Sequence, residues 1–244
     1  MNIAAIIPSR FESSRFPGKP LTNILGISMI ERVYNQVKKS DKFEDIIVAT
    51  DNKKIADKVK EFGGKSIMTS RQCSSGTERV WEVLKKSDYD AVINIQGDEP
   101  LISEKLISDI YDELDTGEHD VITAAFFNTS IEDYLSENVV KAVVNNNSEA
   151  LYFSRSPVPF VKRDEFAGFF QHIGIYGYLK KSIESFFNFP LSDLEKCEKL
   201  EQLRFMDYGV TIKIIETNYR SYGVDVPEDV KKIEKLLREN EIEN

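Results

Sequence analysis

Ile3-Ala4-Ala5-Ile6-Ile7 runs without interruption into Pro8-Ser9-Arg10-Phe11-Glu12-Ser13-Ser14-Arg15-Phe16-Pro17-Gly18-Lys19-Pro20. An unbroken apolar run stopped by proline reads as a strand buried on both faces, the pattern of a parallel sheet covered by helices. The segment after it is rich in turn residues and carries Arg10, Arg15 and Lys19. It therefore reads as a loop at the carboxyl end of that strand, where ligands bind on open α/β sheets.

Outward from this stretch, apolar runs alternate with amphipathic ones. Residues 46–50, 66–69 and 91–96 have strand character; residues 29–39, 53–62, 77–86 and 104–114 have helical spacing. Strands separated by helices of that length require crossover connections and so a mainly parallel sheet. The second half is less regular, with strands expected at 121–127, 139–144, 150–153, 173–179 and 211–216, and helices at 191–208 and 228–240. No repeat and no linker rich in Gly, Pro or Ser interrupts the chain. The expectation is an α/β fold with a mainly parallel sheet flanked by helices and a smaller α+β lobe. The chain reads as a single domain, with one functional part at about 1–120, an elaboration at about 121–210 and a terminal loop and helix at about 211–244.

Composition narrows the partners. The chain has 244 residues, 41% hydrophobic and 30% charged, which is enough for a substantial core. A net charge of -9 argues against a broad basic surface for nucleic acid or an anionic membrane, so a local cationic loop stands out. Cys73 and Cys197 are far apart and form no zinc or redox motif with the two histidines, which fits a reducing compartment. Met1-Asn2 leads straight into the first strand without a cationic signal region, and no apolar stretch approaches the roughly 20 residues that span a bilayer. These features point to the cytoplasm.

The residues themselves suggest phosphate chemistry. Guanidinium groups of Arg10 and Arg15 and the Lys19 ammonium make a polyphosphate clamp, to which backbone amides add donors. Read alone, the loop is equally a solvated surface whose cations balance nearby acids. It matches neither Gly-x-x-x-x-Gly-Lys-Ser/Thr nor Gly-x-Gly-x-x-Gly. In Ala91-Val92-Ile93-Asn94-Ile95-Gln96-Gly97-Asp98-Glu99-Pro100, a buried strand delivers Asp98 at its carboxyl end; Asp225 stands in Gly223-Val224-Asp225-Val226-Pro227. Two carboxylates with phosphate oxygens and water suit magnesium, whereas the bland alternatives are a turn acid and a residue that helps start the last helix. Ser75-Gly76-Thr77-Glu78-Arg79 reads as a helix start with amide donors for a base, ribose or phosphate. His172 is either structural or a partner for a sugar hydroxyl or carboxylate, and Arg155 either binds a substrate carboxylate or pairs on the surface. In Leu200-Glu201-Gln202-Leu203-Arg204 the leucines should face the core and leave Glu201 and Gln202 pointing elsewhere. No Ser/His/Asp or Cys/His constellation is visible.

Taken in order, these segments resemble the 3-deoxy-manno-octulosonate (Kdo) cytidylyltransferases, also called CMP-Kdo synthetases. The resemblance rests on residues 7–10 and 15–20, 75–79, 96–100, 150–155, 172–178, 200–204 and 223–228. It implies a nucleotidyltransferase-type fold with a sugar-binding and dimerisation lobe, a homodimer, and transfer of CMP from CTP to Kdo for lipopolysaccharide synthesis. It also implies site roles. Pro8, Arg10, Arg15, Lys19, Ser75 and Gly76 would bind the nucleotide, and Asp98 and Asp225 would hold Mg2+. Arg10, Arg15, Lys19, Asp98 and Asp225 would carry catalysis, with Gln96, Arg155, His172, Tyr176, Glu201 and Gln202 on the sugar. The alternatives are the 8-amino form of the sugar, another sugar acid such as sialate, or a silent nucleotide-sugar binding protein.

Overall fold

β1 (Ile3–Ser9) is flanked on one side by β4 (Ile46–Thr50) and on the other by β6 (Ala91–Asn94), both parallel to it, and β5 (Lys65–Met68) extends the sheet beyond β4. The computed structural model describes residues 1–13, 15–162 and 165–242, with side chains to 239; Ser14 of the cationic loop lies outside them. The chain divides into two compact units, one formed by Met1–Ser108 with Ser221–Asn244 and the other by Asp109–Arg220.

In the first unit Ala4, Ala5, Ile6 and Ile7 have no exposed surface, as expected of a strand covered on both faces. The chain steps outward from β1 to β4 and β5, then returns to the far side of β1 as β6. Between β1 and β6 the order reverses, so the loops that leave their carboxyl ends diverge and open a crevice. The connections are α1 (Met29–Lys39), α2 (Lys53–Glu61) and α3 (Gly76–Leu84); a two-stranded hairpin, β2 (Asn23–Ile24) with β3 (Ile27–Ser28), precedes α1. α4 (Glu104–Thr116) carries the chain across the unit boundary, and α9 (Pro227–Ile242) belongs to the first unit.

The second unit is the α+β part. β7 (Val121–Asn128) pairs antiparallel with β10 (Phe169–Leu179) and parallel with β11 (Ile212–Glu216); β8 (Lys141–Val144) joins β10 to β9 (Ala150–Ser154). Helices α5 (Ile131–Leu135), α6 (Lys180–Asn188), α7 (Asp193–Glu198) and α8 (Gln202–Asp207) complete it. The single helix expected over 191–208 is two. Ser192 caps α7 by accepting from the Glu195 amide, and Lys199, at φ 56°, ends it in a left-handed conformation before α8 begins. A lysine there gives no glycine or proline signal, which is why helical spacing alone runs through the break. Gln202 is also corrected: it is 7% exposed, turned inward with the leucines.

Lys141, fully buried on β8, donates from Nζ to the carbonyls of Ser136 (2.6 Å), Val139 (2.8 Å) and Arg155 (2.6 Å). Burial and the nearby Arg155 charge lower its pKa, and Glu198 opposes them. The ammonium ties together the carbonyls of the turn after α5 and of the chain just past β9; that of Ser136 also accepts from the Val139 amide at 3.3 Å. Lys141→Met should lower the unfolding free energy by about 3 kcal/mol in a denaturant titration, and a loss under about 0.5 kcal/mol would contradict this role.

Candidate functional site

Apolar packing brings the charged residues together. Phe16 lies in the loop between Arg15 and Lys19, and Val224 immediately precedes Asp225. Both belong to one cluster with Ile24, Met29 and Ile233 of α9. Val224 is 1% exposed, and burying such a side chain contributes about 1.5–3 kcal/mol. That burial pulls the segment before α9 onto the loop after β1, and a hydrogen bond from the Val224 amide to the Asp98 carbonyl (2.9 Å) ties it to the loop after β6.

Lys19 stands at the meeting point. Its Nζ donates to Asp98 Oδ2 at 2.5 Å and to the Val224 carbonyl at 2.8 Å, and lies 4.0 Å from Asp225 Oδ1. Arg15 donates to both oxygens of Asp225, at 3.2 and 3.4 Å. Arg10 is exposed and makes no ion pair among the described residues. Gly18, at φ 72°, turns the chain into the 3-10 turn Lys19–Leu21, a conformation that side chains other than hydrogen resist.

These residues line one cleft of about 240 Å³ in the first unit, shared with Pro8, Gln96, Ser75 and Gly76. Gly97 packs so tightly against the end of β1 that a Cβ there would lie 2.6 Å from Ser9 Oγ and 2.9 Å from the Pro8 carbonyl. Only a glycine lets the two diverging loops approach this closely. On the cleft's other wall, Ser75 Oγ accepts from the Glu78 amide, while the Glu78 carboxylate accepts from the Ser74 amide (2.7 Å) and hydroxyl (2.8 Å). This reciprocal cap fixes the start of α3, whose first turn leaves amide donors with no intrahelical partner. Ser13, Cys73 and Ser74 also line the cleft, although no sequence signal singles them out.

The arrangement can bind a polyanion through Arg10, Arg15 and Lys19. It can also hold a hard cation: Asp98 and Asp225 already share one positive charge, the Lys19 ammonium, and offer carboxylate oxygens suited to magnesium. Among the described residues no cluster of three or more His, Cys, Asp or Glu provides a complete protein cage. Magnesium tolerates that, since it usually takes its remaining ligands from phosphate and water.

The other site residues lie in the second unit. A bulge in β10 between Ile173 and Tyr176 places His172 Nε2 2.9 Å from the Tyr176 hydroxyl and 3.1 Å from that of Thr123. The Thr123 hydroxyl also lies within hydrogen-bonding distance of the bulge carbonyls of Ile173 and Ile175. The His172 ring packs edge-on against Phe153, and Tyr176 stacks on Tyr178. Burial holds the imidazole neutral, with its pKa pushed down to about 3, and raises that of Tyr176, to which Glu201 adds its charge. Gln202 Nε2 is buried with no hydrogen-bond partner among the described residues. Arg155 is engaged elsewhere: its guanidinium donates to the carbonyls of Glu198 (2.9 Å) and Glu137 (3.0 Å).

His172 makes a testable linkage. Its folded pKa of about 3 lies below the ordinary 6.5, so the unfolded chain takes up the proton first. Stability from this residue is complete above about pH 6.5 and is lost as pH falls toward 3, by up to about 1.4 kcal/mol per unit. In denaturant titrations at about pH 7 and about pH 5, His172→Gln should lose this part of the pH dependence. An identical slope in both proteins would contradict the buried neutral ring.

Comparison with known proteins adds lineage to this geometry. A family profile described as cytidylyltransferase matches residues 4–214. A 3-deoxy-manno-octulosonate cytidylyltransferase of Desulfosudis oleivorans is 44% identical over 245 residues, covering 97% of this chain and 98% of that protein. An 8-amino-3,8-dideoxy-manno-octulosonate cytidylyltransferase of Shewanella pealeana is 42% identical over 242 residues, with 97% and 99% covered. A solved structure of a CMP:2-keto-3-deoxy-manno-octonic acid synthetase complexed with CTP superposes with a TM-score of 0.94 at 37% identity, over 98% of this chain and 100% of that one.

Proposed function

This chain belongs to the cytidylyltransferase family, and from that premise we propose that it transfers CMP from CTP to 3-deoxy-manno-octulosonate, releasing pyrophosphate. The observation that carries the reading is the Lys19 ammonium set between Asp98 and Asp225, in a cleft whose rim also bears Arg10 and Arg15. The full-length relatives supply the identity of the two substrates.

In this reading the anomeric C2 hydroxyl of the sugar attacks the α-phosphorus of CTP. A new O–P bond forms, the bond to the bridging oxygen breaks, pyrophosphate departs and the hydroxyl proton passes to solvent. Arg10, Arg15 and Lys19 grip the phosphates and offset the charge that grows on the leaving group. Pro8, Ser75 and Gly76 bound the nucleotide's base and ribose. Asp98 and Asp225 would hold Mg2+, which when bound polarises the attacking hydroxyl and offsets phosphate charge. Lys19 would exchange the two carboxylates for phosphate oxygens as the nucleotide and metal arrive. For the sugar acid this reading assigns Gln96 in the first unit and His172, Tyr176, Glu201 and Gln202 in the second. Arg155 is assigned to the sugar as well, and its guanidinium donates to the Glu198 and Glu137 carbonyls. No covalent enzyme intermediate is needed, because positioning and electrostatics supply the rate.

The enzyme would act as a homodimer in the cytoplasm, where CTP is made, and feed lipopolysaccharide synthesis. Exposed Leu135, Leu151 and Phe160 in the second unit support a second copy as their cover. No helix among the described residues is long and apolar enough to cross a membrane. The relative named for the 8-amino sugar makes that substrate the second reading.

Pyrophosphate release with CTP and magnesium should be fast with one of the two octulosonates and absent with sialate; release with sialate alone would overturn the substrate assignment. Asp98→Asn should lower turnover by about 1000-fold or more while CTP still binds, and chelation with EDTA should stop the reaction. Unchanged turnover in either case would refute the metal role.

A further inference from the structure

Behind the cleft lies a buried ion pair to which the proposed chemistry assigns no part. Arg79, in the first turn of α3, is only 3% exposed. Its Nη2 donates to Asp51 Oδ2 at 3.1 Å, and its Nη1 donates to Thr69 Oγ1 at 2.5 Å and to the Ser70 carbonyl at 3.2 Å. One guanidinium thus joins the chain just past β4, the chain just past β5 and the start of α3. A cation near the positive end of a helix is disfavoured, and an apolar side chain would fill the space at lower cost. Helix stability therefore does not account for Arg79.

The other oxygen of the Asp51 carboxylate accounts for it. Oδ1 accepts from the Phe11 amide at 3.3 Å. The Phe11 carbonyl in turn accepts from the Gly18 amide at 2.9 Å, which joins the two ends of the cationic loop at a neck, with Arg10 immediately before it and Lys19 immediately after. The Phe11 ring also lies 3.6 Å from where a Gly18 Cβ would stand, so the neck is held by packing as well as by hydrogen bonds.

We propose that Asp51 and Arg79 are positioning residues: the buried pair fixes the neck of the cationic loop and so sets Arg10 and Lys19 for the nucleotide triphosphate. The assignment rests on the cytidylyltransferase reading for its ligand, and on geometry alone for the loop. Because Arg79 follows Ser75 and Gly76 by one helical turn, the same pair couples the base side of the cleft to its phosphate side. Neither residue touches the reacting atoms. Their effect passes through the backbone of Phe11 and Gly18.

The test is Asp51→Ala in the full chain, read three ways. Hydrogen exchange of the amides in residues 10–19 should accelerate in the absence of any ligand. With CTP varied, KM should rise about 10-fold and kcat/KM fall about 100-fold, as expected when groups that grip the phosphates are displaced by an ångström or so. Thermal unfolding supplies the control: a lower Tm with loop exchange and kcat/KM both within about 2-fold of wild type, assayed well below Tm, would show a merely structural pair and overturn the proposal. Should Asp51→Ala not fold, Asp51→Asn, which keeps the side-chain volume and removes the charge, is read by the same criteria. If the wild-type chain fails to release pyrophosphate from CTP, the functional reading falls, while the exchange result still decides whether the pair holds the loop.

Discussion

The Lys19 ammonium, donating to the Asp98 carboxylate and the Val224 carbonyl, is the contact on which the cleft depends. Charge-assisted hydrogen bonds of this kind contribute about 1.5–3 kcal/mol each, and with the Lys19 side chain 15% and that of Asp98 34% exposed, solvent screens the contact only in part. The Arg15–Asp225 pair is different. Its side chains are 65% and 60% exposed, and an ion pair that open adds little to stability. Its significance is geometric: it holds a carboxylate and a guanidinium at the rim, where a triphosphate and a divalent ion could exchange with both. A site whose internal ion pairs are half-solvated can release its charges to a ligand at modest cost, whereas the buried Asp51–Arg79 pair cannot and so suits a fixed frame.

Sheet topology explains why the charges meet where they do. β1 and β6 are neighbours whose outgoing loops part, and Gly97 permits the contact at the point of parting. The remaining closure is apolar: Val224 is buried in one cluster with α9 and the half-buried Phe16 packs against it, which makes the terminal helix a part of the site's architecture. Burial thus supplies the driving force and the charged residues supply the function. The same division recurs in the second unit, where Phe153, Tyr176 and the bulge of β10 enclose a neutral His172.

The parts of this arrangement legible in the sequence were those encoded locally. Residues 3–7 could only be a buried strand, the proline and glycine that follow could only be a loop, and Asp98 could be placed at a strand's end because residues 91–95 are apolar apart from Asn94. The Ser75-x-x-Glu78 cap was likewise readable. What depended on distant contacts was not. Nothing around Lys199 announces a left-handed residue, so the helix break was hidden, and leucine spacing alone gave Gln202 the wrong environment. The capture of Arg155 by two backbone carbonyls, and the reach of Asp51 to both Arg79 and Phe11, are set by tertiary packing that no local pattern encodes.

The convergence of Asp98 and Asp225 on one cation is the central claim. A crystal structure of the chain with CTP and Mn2+, with the ion located by its anomalous scattering, tests it most directly. The expected result is an ion at the phosphates with both carboxylates among its ligands and Lys19 moved onto a phosphate oxygen. An ion held by neither aspartate, with Lys19 still on Asp98, would contradict it.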